Sequence, residues 1–122
     1  MVVPIIRGDL LEATEEHICH QTNCVSIGAS GLASAIFKRF PWAEIYSHRV
    51  DKTHWDKPGI VIARGGQLGQ RSVLGLMGQF YPGRPHREPL DGEMSRLTYF
   101  MSCLAILTDM KDTKSFAFPY KI

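Results

Sequence analysis

The sequence predicts an α/β fold. Short apolar segments rich in β-branched residues alternate with segments whose apolar residues recur at helical spacing, and polar residues follow the ends of the apolar segments. The 122 residues, 44% of them hydrophobic, suffice for one compact core, so we expect a single domain spanning residues 1–122. Strands that alternate with helices form a sheet covered by helices, and ligands then bind beyond the carboxyl ends of the strands.

The first half of the chain contains two predicted strands and a predicted helix. Val2 to Ile6 is a short β-branched run that ends at a glycine turn, and Ile18 to Asn23 is a second strand. From Leu32 onward the apolar residues fall at helical spacing until Pro41, which ends or kinks the helix. Residues 42–46 are compatible with a second short helix.

The second half contains three further predicted strands and a long helix. Ile60 to Ala63 and Ser72 to Met77 read as neighbouring strands joined by a tight connection, and Tyr81 to Gly92 is a loop rich in Pro, Gly and Arg. A long helix follows, with Asp91 as a plausible N-cap, and Ser115 to Pro119 reads as the last strand. One face of that helix is marked by Met94, Leu97, Met101, Leu104, Ala105 and Thr108.

Composition and charge exclude several classes of protein. The net charge of +2, from 14 basic and 12 acidic residues, is far below the basic excess of a DNA-wrapping surface, so any nucleic-acid contact would be local. The 3 cysteines are an odd number, and the amino terminus lacks the pattern of a signal peptide, which favours a reduced, cytoplasmic protein. No apolar segment approaches the ~20 residues needed to cross a bilayer, so we expect no membrane insertion.

A small-residue loop after the second predicted strand is the most informative segment. It contains Gly28, Ala29, Ser30 and Gly31 and leads directly into the helix that begins near Leu32. Small residues let backbone N–H groups approach a phosphate closely, and a helix N-terminus favours an anion. The spacing fits neither the P-loop nor the dinucleotide fingerprint, so an ordinary strand-to-helix turn stays an alternative.

Three polar residues near this loop are candidate ligand contacts. Asp9 follows a strand and a glycine and can accept hydrogen bonds from a ligand amine, although a turn or N-cap role is equally compatible. Asn23 ends a strand and offers a donor and an acceptor suited to a ribose hydroxyl, or it forms a turn. Lys38 can neutralise a phosphate or, if deprotonated by burial, attack an anomeric carbon; alternatively it is a solvated helix lysine.

The histidine and cysteine residues do not predict a metal site. His17, Cys19, His20 and Cys24 lie close together in sequence, but neighbouring strand residues point to opposite faces and the usual zinc spacing is absent. A Cys24 nucleophile assisted by His20 is conceivable, whereas most such cysteines are simply packed. We therefore expect no metal.

Five segments, taken together, resemble a macrodomain, and their order and spacing match along essentially the whole chain. They are Gly8-Asp9-Leu10, the strand end His20-Gln21-Thr22-Asn23, the stretch from Gly28 to Lys38, the strand end Met77-Gly78-Gln79, and Phe118-Pro119-Tyr120-Lys121-Ile122. Within the family, the chain looks closer to the branch that contains terminal ADP-ribose protein glycohydrolase and the yeast ADP-ribose-1''-phosphate phosphatase.

The resemblance implies a three-layer α/β/α mixed sheet and an ADP-ribose site. Asp9 would hold the adenine amine, Leu10 would add a backbone contact, and Asn23 would face the distal ribose and the reaction. The first phosphate loop would consist of Gly28, Ala29, Ser30, Gly31, Leu32 and Ala33. Lys38 would match the lysine that attacks the distal ribose C1'' in the glycohydrolase, with water later releasing the product. No cofactor is implied.

The chain departs from the family in two respects. Family members continue beyond the Phe-Pro-Tyr-Lys-Ile strand into a second glycine-rich loop and a helix, so we expect a C-terminally incomplete domain. Ser30 stands where many relatives have glycine.

The leading hypothesis is a macrodomain that hydrolyses ADP-ribose conjugates or ADP-ribose-1''-phosphate, and its partner would be ADP-ribose or an ADP-ribosylated macromolecule, including a modified nucleic acid. A non-catalytic ADP-ribose or nucleotide-binding module is the alternative, and an RNA binder unrelated to ADP-ribose is disfavoured by the charge. Sequence does not indicate an oligomeric state.

Overall fold

The computed structural model describes residues 5–110 and 115–120, which form four strands and two α-helices. Three short 3-10 turns accompany them: Leu10–Glu12 precedes the first strand, and Pro41–Ala43 and Lys52–His54 follow the first helix. In chain order the main elements are β1 (His17–Asn23), α1 (Gly31–Arg39), β2 (Val61–Arg64), β3 (Ser72–Gln79), α2 (Glu93–Thr108) and β4 (Phe116–Ala117).

The four strands form one mixed sheet in the order β2-β3-β1-β4. β1 runs parallel to both β3 and β4, whereas β2 pairs with β3 in the antiparallel direction. The β1–β3 register places His17 beside Ser72 at one edge and Asn23 beside Gln79 at the other. The carboxyl ends of the two central strands therefore meet at the same edge of the sheet.

Helices cover both faces of the sheet, which confirms the predicted three-layer α/β/α fold. Along β3, Val73 and Met77 pack on the α1 side, whereas Leu74 and Leu76 pack on the α2 side. This alternation is the period of two that a strand imposes on its side chains. Both faces of β3 are buried, as expected for a central strand in such a fold.

Most of the predicted elements are confirmed, with boundaries shifted by one or two residues. The helix ends at Arg39, just before Pro41, and the apolar residues that follow begin with a 3-10 turn rather than an α-helix. β2 and β3 are the predicted neighbours. The predicted first strand falls partly on residues 1–4, which lie outside the described residues, and Ile5 and Ile6 are exposed and not in a strand.

The apolar face that the sequence marks on α2 is not the face that packs against the sheet. Met94, Leu97 and Met101 are exposed, whereas the helix buries Cys103 and Leu107 against the sheet. The sequence carries apolar residues on both sides of this helix, so helical spacing alone does not identify the packed side.

The N-cap prediction for α2 is wrong. Gly92 occupies the N-cap position, and the carboxylate of Glu88 accepts hydrogen bonds from the backbone N–H groups of Met94 and Ser95. Asp91 is buried instead and bonds the loop that precedes the helix. The N–H groups of Met94 and Ser95 are therefore satisfied by a side chain that lies five residues before the helix.

Neither helix in the described part of the chain is long and apolar enough to span a membrane.

Candidate binding site

A cavity of about 210 Å³ opens at the carboxyl ends of β1 and β3. It lies between the ends of the two parallel strands, the loop after β1 and the N-terminus of α1, which is the usual ligand position in an open α/β sheet. Its lining consists of Gln21, Thr22, Asn23, Ser26, Gly28, Ser30, Leu32, Ala33, Tyr46, Gln79, Pro82 and Gly83. A larger but wider depression of about 510 Å³ lies at the opposite edge of the sheet, around residues 66–72.

Asn23 organises the loop that forms one wall of the cavity. Its side-chain Oδ1 accepts hydrogen bonds from the backbone N–H groups of Val25 (3.0 Å) and Ser26 (2.8 Å). Its own backbone N–H donates to the hydroxyl of Tyr46 at 3.1 Å. The turn-forming role weighed for Asn23 is thus present, and the residue also lines the cavity.

Tyr46 and Arg49 hold the cavity and the loop after β1 in place. Neither residue was identified from the sequence. Tyr46 is 4% exposed, and burial raises the pKa of its hydroxyl. The Arg49 guanidinium lies 4.6 Å from the centre of the Tyr46 ring and donates to the backbone carbonyl of Ser26 at 3.0 Å. Asp56 accepts from both Nε and Nη2 of Arg49, at 3.1 and 2.6 Å. An ion pair beneath the cavity therefore holds the loop after β1 in place.

A second wall is formed by side-chain amides and by the loop after β3. The Gln21 amide donates to the Gln79 side-chain oxygen, and the Gln79 amide donates to the backbone carbonyl of Tyr81 at 2.8 Å. Gly78 permits this arrangement, because a Cβ atom at that position would lie 2.7 Å from the Gln21 side-chain oxygen. The two glutamines present polar atoms to the cavity without adding a charge.

Asp91 and Arg96 fix the loop that carries Pro82 and Gly83. Asp91 accepts from the backbone N–H of Phe80 at 2.8 Å and from Arg96 at 2.8 and 3.1 Å. Burial by itself would raise the pKa of Asp91, but the hydrogen bonds from Arg96 and Phe80 outweigh it and hold that pKa below its ordinary value. Arg96 also donates to the backbone carbonyl of Gly83 at 2.7 Å. This wall is held by charged groups that lie outside the cavity.

The N-terminus of α1 faces the cavity without a side-chain cap. Ser30 is the N-cap residue, but its side chain makes no capping hydrogen bond, and the first turn contains no acidic residue. Gly31 has φ +57°, a conformation that favours glycine. Because the first N–H groups of a helix have no intrahelical partner, this end offers donors and a positive dipole to an anion.

The structure brings together only part of the predicted site. Asn23, Gly28, Ser30, Leu32 and Ala33 line the cavity, and Ala29 and Gly31 lie between the lining residues of the loop.

Asp9, Leu10 and Lys38 lie outside that lining. Asp9 is exposed and caps the 3-10 turn through a 3.0 Å hydrogen bond from the Leu11 N–H, while Leu10 packs against the core. Lys38 is exposed in the last turn of α1, one residue beyond the buried Phe37. The helical pattern of the sequence does not reveal which side of α1 faces the ligand.

The cysteines are packed rather than activated. Cys19, Cys24 and Cys103 are buried and unpaired by disulfides, and burial raises the pKa of the Cys24 thiol to about 12. The Cys24 Sγ contacts the backbone oxygen of Gln79, and the His20 ring nitrogens have no hydrogen-bond partner within the described residues. The two side chains therefore do not form a nucleophile–base pair. Within residues 5–110 and 115–120, no cluster of three or more His, Cys, Asp or Glu side chains could hold a metal.

Comparison with known proteins supports the fold. No protein-family model matches the sequence, and no curated protein matches it. Among solved structures, the macrodomain of Mycobacterium tuberculosis DarG is similar, with a TM-score of 0.58 and 17% sequence identity over 93% of this chain and 94% of that chain. The chain thus has a macrodomain-like fold.

Proposed function

We propose that this chain recognises ADP-ribose, free or attached to a macromolecule, in the cavity at the carboxyl ends of β1 and β3. The observation that carries the proposal is the uncapped N-terminus of α1, which opens on that cavity behind a loop of small residues. A diphosphate is the group best suited to such an end, because it accepts several backbone N–H bonds and is favoured by the helix dipole.

The rest of the cavity is suited to a ribose. Gln21, Asn23 and Gln79 supply uncharged donors and acceptors that match hydroxyl groups. The volume of about 210 Å³ is below the roughly 300–1,000 Å³ that encloses a drug-sized ligand, so we infer that it takes the diphosphate and the distal ribose. The adenosine would then lie along the open surface, towards the segment that contains Asp9.

The position of Lys38 favours recognition of ADP-ribose over its hydrolysis. A nucleophilic amine has to reach the anomeric carbon of the ligand, and Lys38 is exposed on α1 rather than part of the cavity lining. Asn23 already uses its side-chain oxygen on two backbone N–H groups, which suits a residue that shapes the site. The hydrolase hypothesis, including cleavage of ADP-ribose-1''-phosphate, therefore comes second.

Calorimetric titration with ADP-ribose tests the recognition proposal. We expect micromolar affinity for the unmodified chain and at least about a tenfold loss in Gly28→Asp, since a tenfold change equals about 1.4 kcal/mol. Gly28 lines the cavity, has open space around its Cβ position and has no positive φ, so the substitution adds a negative charge at the cavity wall without strain. Gly28→Asn is the matched neutral control and should bind within a few-fold of the unmodified chain.

Two results would contradict the proposal. Absence of heat with the unmodified chain removes ADP-ribose as the ligand, and an equal loss in the Asn variant shows that bulk rather than charge weakens binding. The hydrolase hypothesis has its own test, in which Lys38→Ala and Arg39→Ala are assayed for release of ADP-ribose from a modified protein and from ADP-ribose-1''-phosphate. Turnover that is lost only in Lys38→Ala would establish the lysine mechanism and overturn our preference for recognition alone.

A further inference from the structure

A second cluster of reactive side chains lies at the opposite edge of the sheet. The amino ends of β1 and β3 meet there and border the depression of about 510 Å³, which is also lined by residues 66–71. The two ends of a seven- to eight-residue strand pair are separated by roughly 20 Å, given a rise of about 3.3 Å per residue. This cluster is therefore independent of the cavity at the carboxyl ends.

His17 connects Ser72 to Glu16 in this depression. The His17 Nδ1 lies 2.5 Å from the Ser72 hydroxyl, and the His17 Nε2 lies 3.1 Å from the Glu16 carboxylate. The sheet fixes the geometry, since His17 and Ser72 are register partners in the parallel β1–β3 pair. The imidazole is further held by stacking on Phe116, with 5.4 Å between ring centres.

We propose that Ser72, His17 and Glu16 form a hydrolytic site for small uncharged carboxylic esters. The order of contacts, hydroxyl to imidazole to carboxylate, is the arrangement that activates a serine for acyl transfer. The Glu16 carboxylate pairs with His17, while the Glu16 backbone bonds the Ser115 hydroxyl and Arg71, so Glu16 is a positioning residue that orients the ring and balances the charge that the ring gains in the reaction. Ser72 and His17 are the groups that meet the substrate.

The reaction proceeds in two balanced halves. The Ser72 oxygen attacks the ester carbonyl carbon while its proton passes to His17 Nδ1. The tetrahedral intermediate then collapses, and the C–O bond to the leaving oxygen breaks as that oxygen takes the proton from His17 and departs as the alcohol. The acyl group is then bonded to the Ser72 oxygen. Water attacks this new ester, giving its proton to His17 Nδ1, and the carboxylic acid leaves as Ser72 regains a proton.

The loop between β2 and β3 supplies donors for the developing oxyanion. The loop turns through several positive-φ residues, among them Gly66, Leu68 and Gly69. The backbone N–H groups of Leu68 and Gly69 make no hydrogen bond within the described parts of the chain, and both residues line the depression. Backbone donors that share a depression with the nucleophile are the components from which an oxyanion hole is built, and we assign that role to these two N–H groups.

Covalent labelling with a fluorophosphonate tests the proposal on the full chain. We expect one phosphonyl adduct per chain on Ser72, which is the only serine in the tryptic peptide 72–87. Ser72→Ala should lose both the label and the hydrolysis of p-nitrophenyl acetate, whereas the matched Ser102→Ala, an exposed serine on α2, should retain both. Glu16→Gln should slow labelling several-fold without preventing it.

Labelling that is absent, or that falls on Tyr81 or another residue, would overturn the proposal, as would a Ser72→Ala variant that keeps the full esterase rate. Circular dichroism and ADP-ribose titration of the Ser72→Ala variant show whether a loss of labelling and hydrolysis in that variant comes from the missing hydroxyl or from misfolding. Because the two sites lie at opposite edges of the sheet, unchanged ADP-ribose binding is expected, and a failure of either proposal leaves the other standing.

Discussion

The buried guanidinium of Arg49 holds the loop after β1 against the core. Its side chain is fully buried, and its hydrogen bonds to oxygen go to groups that shape the candidate site, namely the Asp56 carboxylate and the backbone carbonyl of Ser26; Nη2 also contacts the Met77 sulfur at 3.8 Å. A guanidinium is tolerated in such a position only when it is paired and hydrogen-bonded, because desolvation of an unpaired charge costs several kcal/mol. The pair therefore ties the loop after β1 to the core.

We predict that Arg49→Met lowers the free energy of unfolding by about 3 kcal/mol, since it leaves Asp56 without its partner. The matched control is Arg39→Met, which breaks the exposed Arg39–Glu12 pair and should cost less than about 1 kcal/mol. Urea denaturation followed by circular dichroism measures both. Equal losses in the two variants would show that the buried pair contributes no more than the exposed one.

His20 is also buried but, unlike Arg49, its side chain has no hydrogen-bond partner among the described residues. It is 2% exposed, packs edge-on against Phe37, and has no hydrogen-bond partner for either ring nitrogen among the described residues. Burial lowers its pKa from the ordinary 6.5 to about 4, because the protonated ring cannot be solvated in the core. The folded state therefore holds a neutral imidazole.

Acid should destabilise the protein through this residue. The unfolded chain binds a proton near pH 6.5 and the folded chain only near pH 4, so the stabilisation is complete above pH 6.5 and is lost as the pH falls towards 4. Over that window the free energy of unfolding should fall by on the order of 3 kcal/mol. His20→Leu should remove most of this dependence, and His54→Leu, at an exposed position, should not; identical pH profiles for all three proteins would contradict the argument.

At the scale of elements, α2 has two apolar sides and buries only one of them. Cys103 and Leu107 face the sheet with Leu74 and Leu76, whereas Leu97 and Met101 are each 60% exposed. Which side of α2 is buried therefore depends on the side chains that the sheet presents to the helix, since both sides of the helix are apolar.

Alanine substitution of paired leucines on α2 tests which side carries the packing. Leu107→Ala should reduce the free energy of unfolding by about 3 kcal/mol, because it leaves a cavity against the sheet. Leu97→Ala, on the exposed side of the same helix, should change it by less than about 0.5 kcal/mol. Thermal unfolding of both variants measures the difference, and a greater loss at Leu97 would mean that the exposed face is packed in solution.

The strands and α1 were predictable because their patterns admit one interpretation. Val73, Leu74 and Leu76 lie in a run with no polar face, as a central strand requires, and Pro41 marks the end of α1. The cap of α2 and its packed face were not predictable, since the capping carboxylate of Glu88 lies five residues before the helix and both sides of the helix are apolar. Such choices depend on contacts between distant elements.

The candidate site was also predictable only in part. The loop from Gly28 to Ala33 is contiguous in the sequence, so its small residues and helix start are visible there. Tyr46 and Arg49 come from a segment without a motif, and they reach the site only because the chain folds back beneath Asn23. The direction of Lys38 depends on which face of α1 contacts the sheet, and Ile36 and Phe37 decide it by burial.

At the scale of the whole molecule, the parallel pairing of β1 and β3 defines two edges with different chemistry. The carboxyl edge combines a helix N-terminus, small residues and neutral amides, whereas the amino edge combines a histidine with a serine and a glutamate. At the carboxyl edge the N-terminus of α1 opens on the cavity between β1 and β3, so this edge is the one suited to a diphosphate.

Amide chemical-shift mapping by NMR during titration with ADP-ribose tests this central claim most directly. We expect saturable shifts of the backbone amides of Gly28, Ser30, Gly31, Leu32 and Ala33, with residues 66–72 at the other edge unaffected. Shifts confined to residues 66–72, or no shifts at a ligand concentration that saturates known ADP-ribose binders, would contradict it.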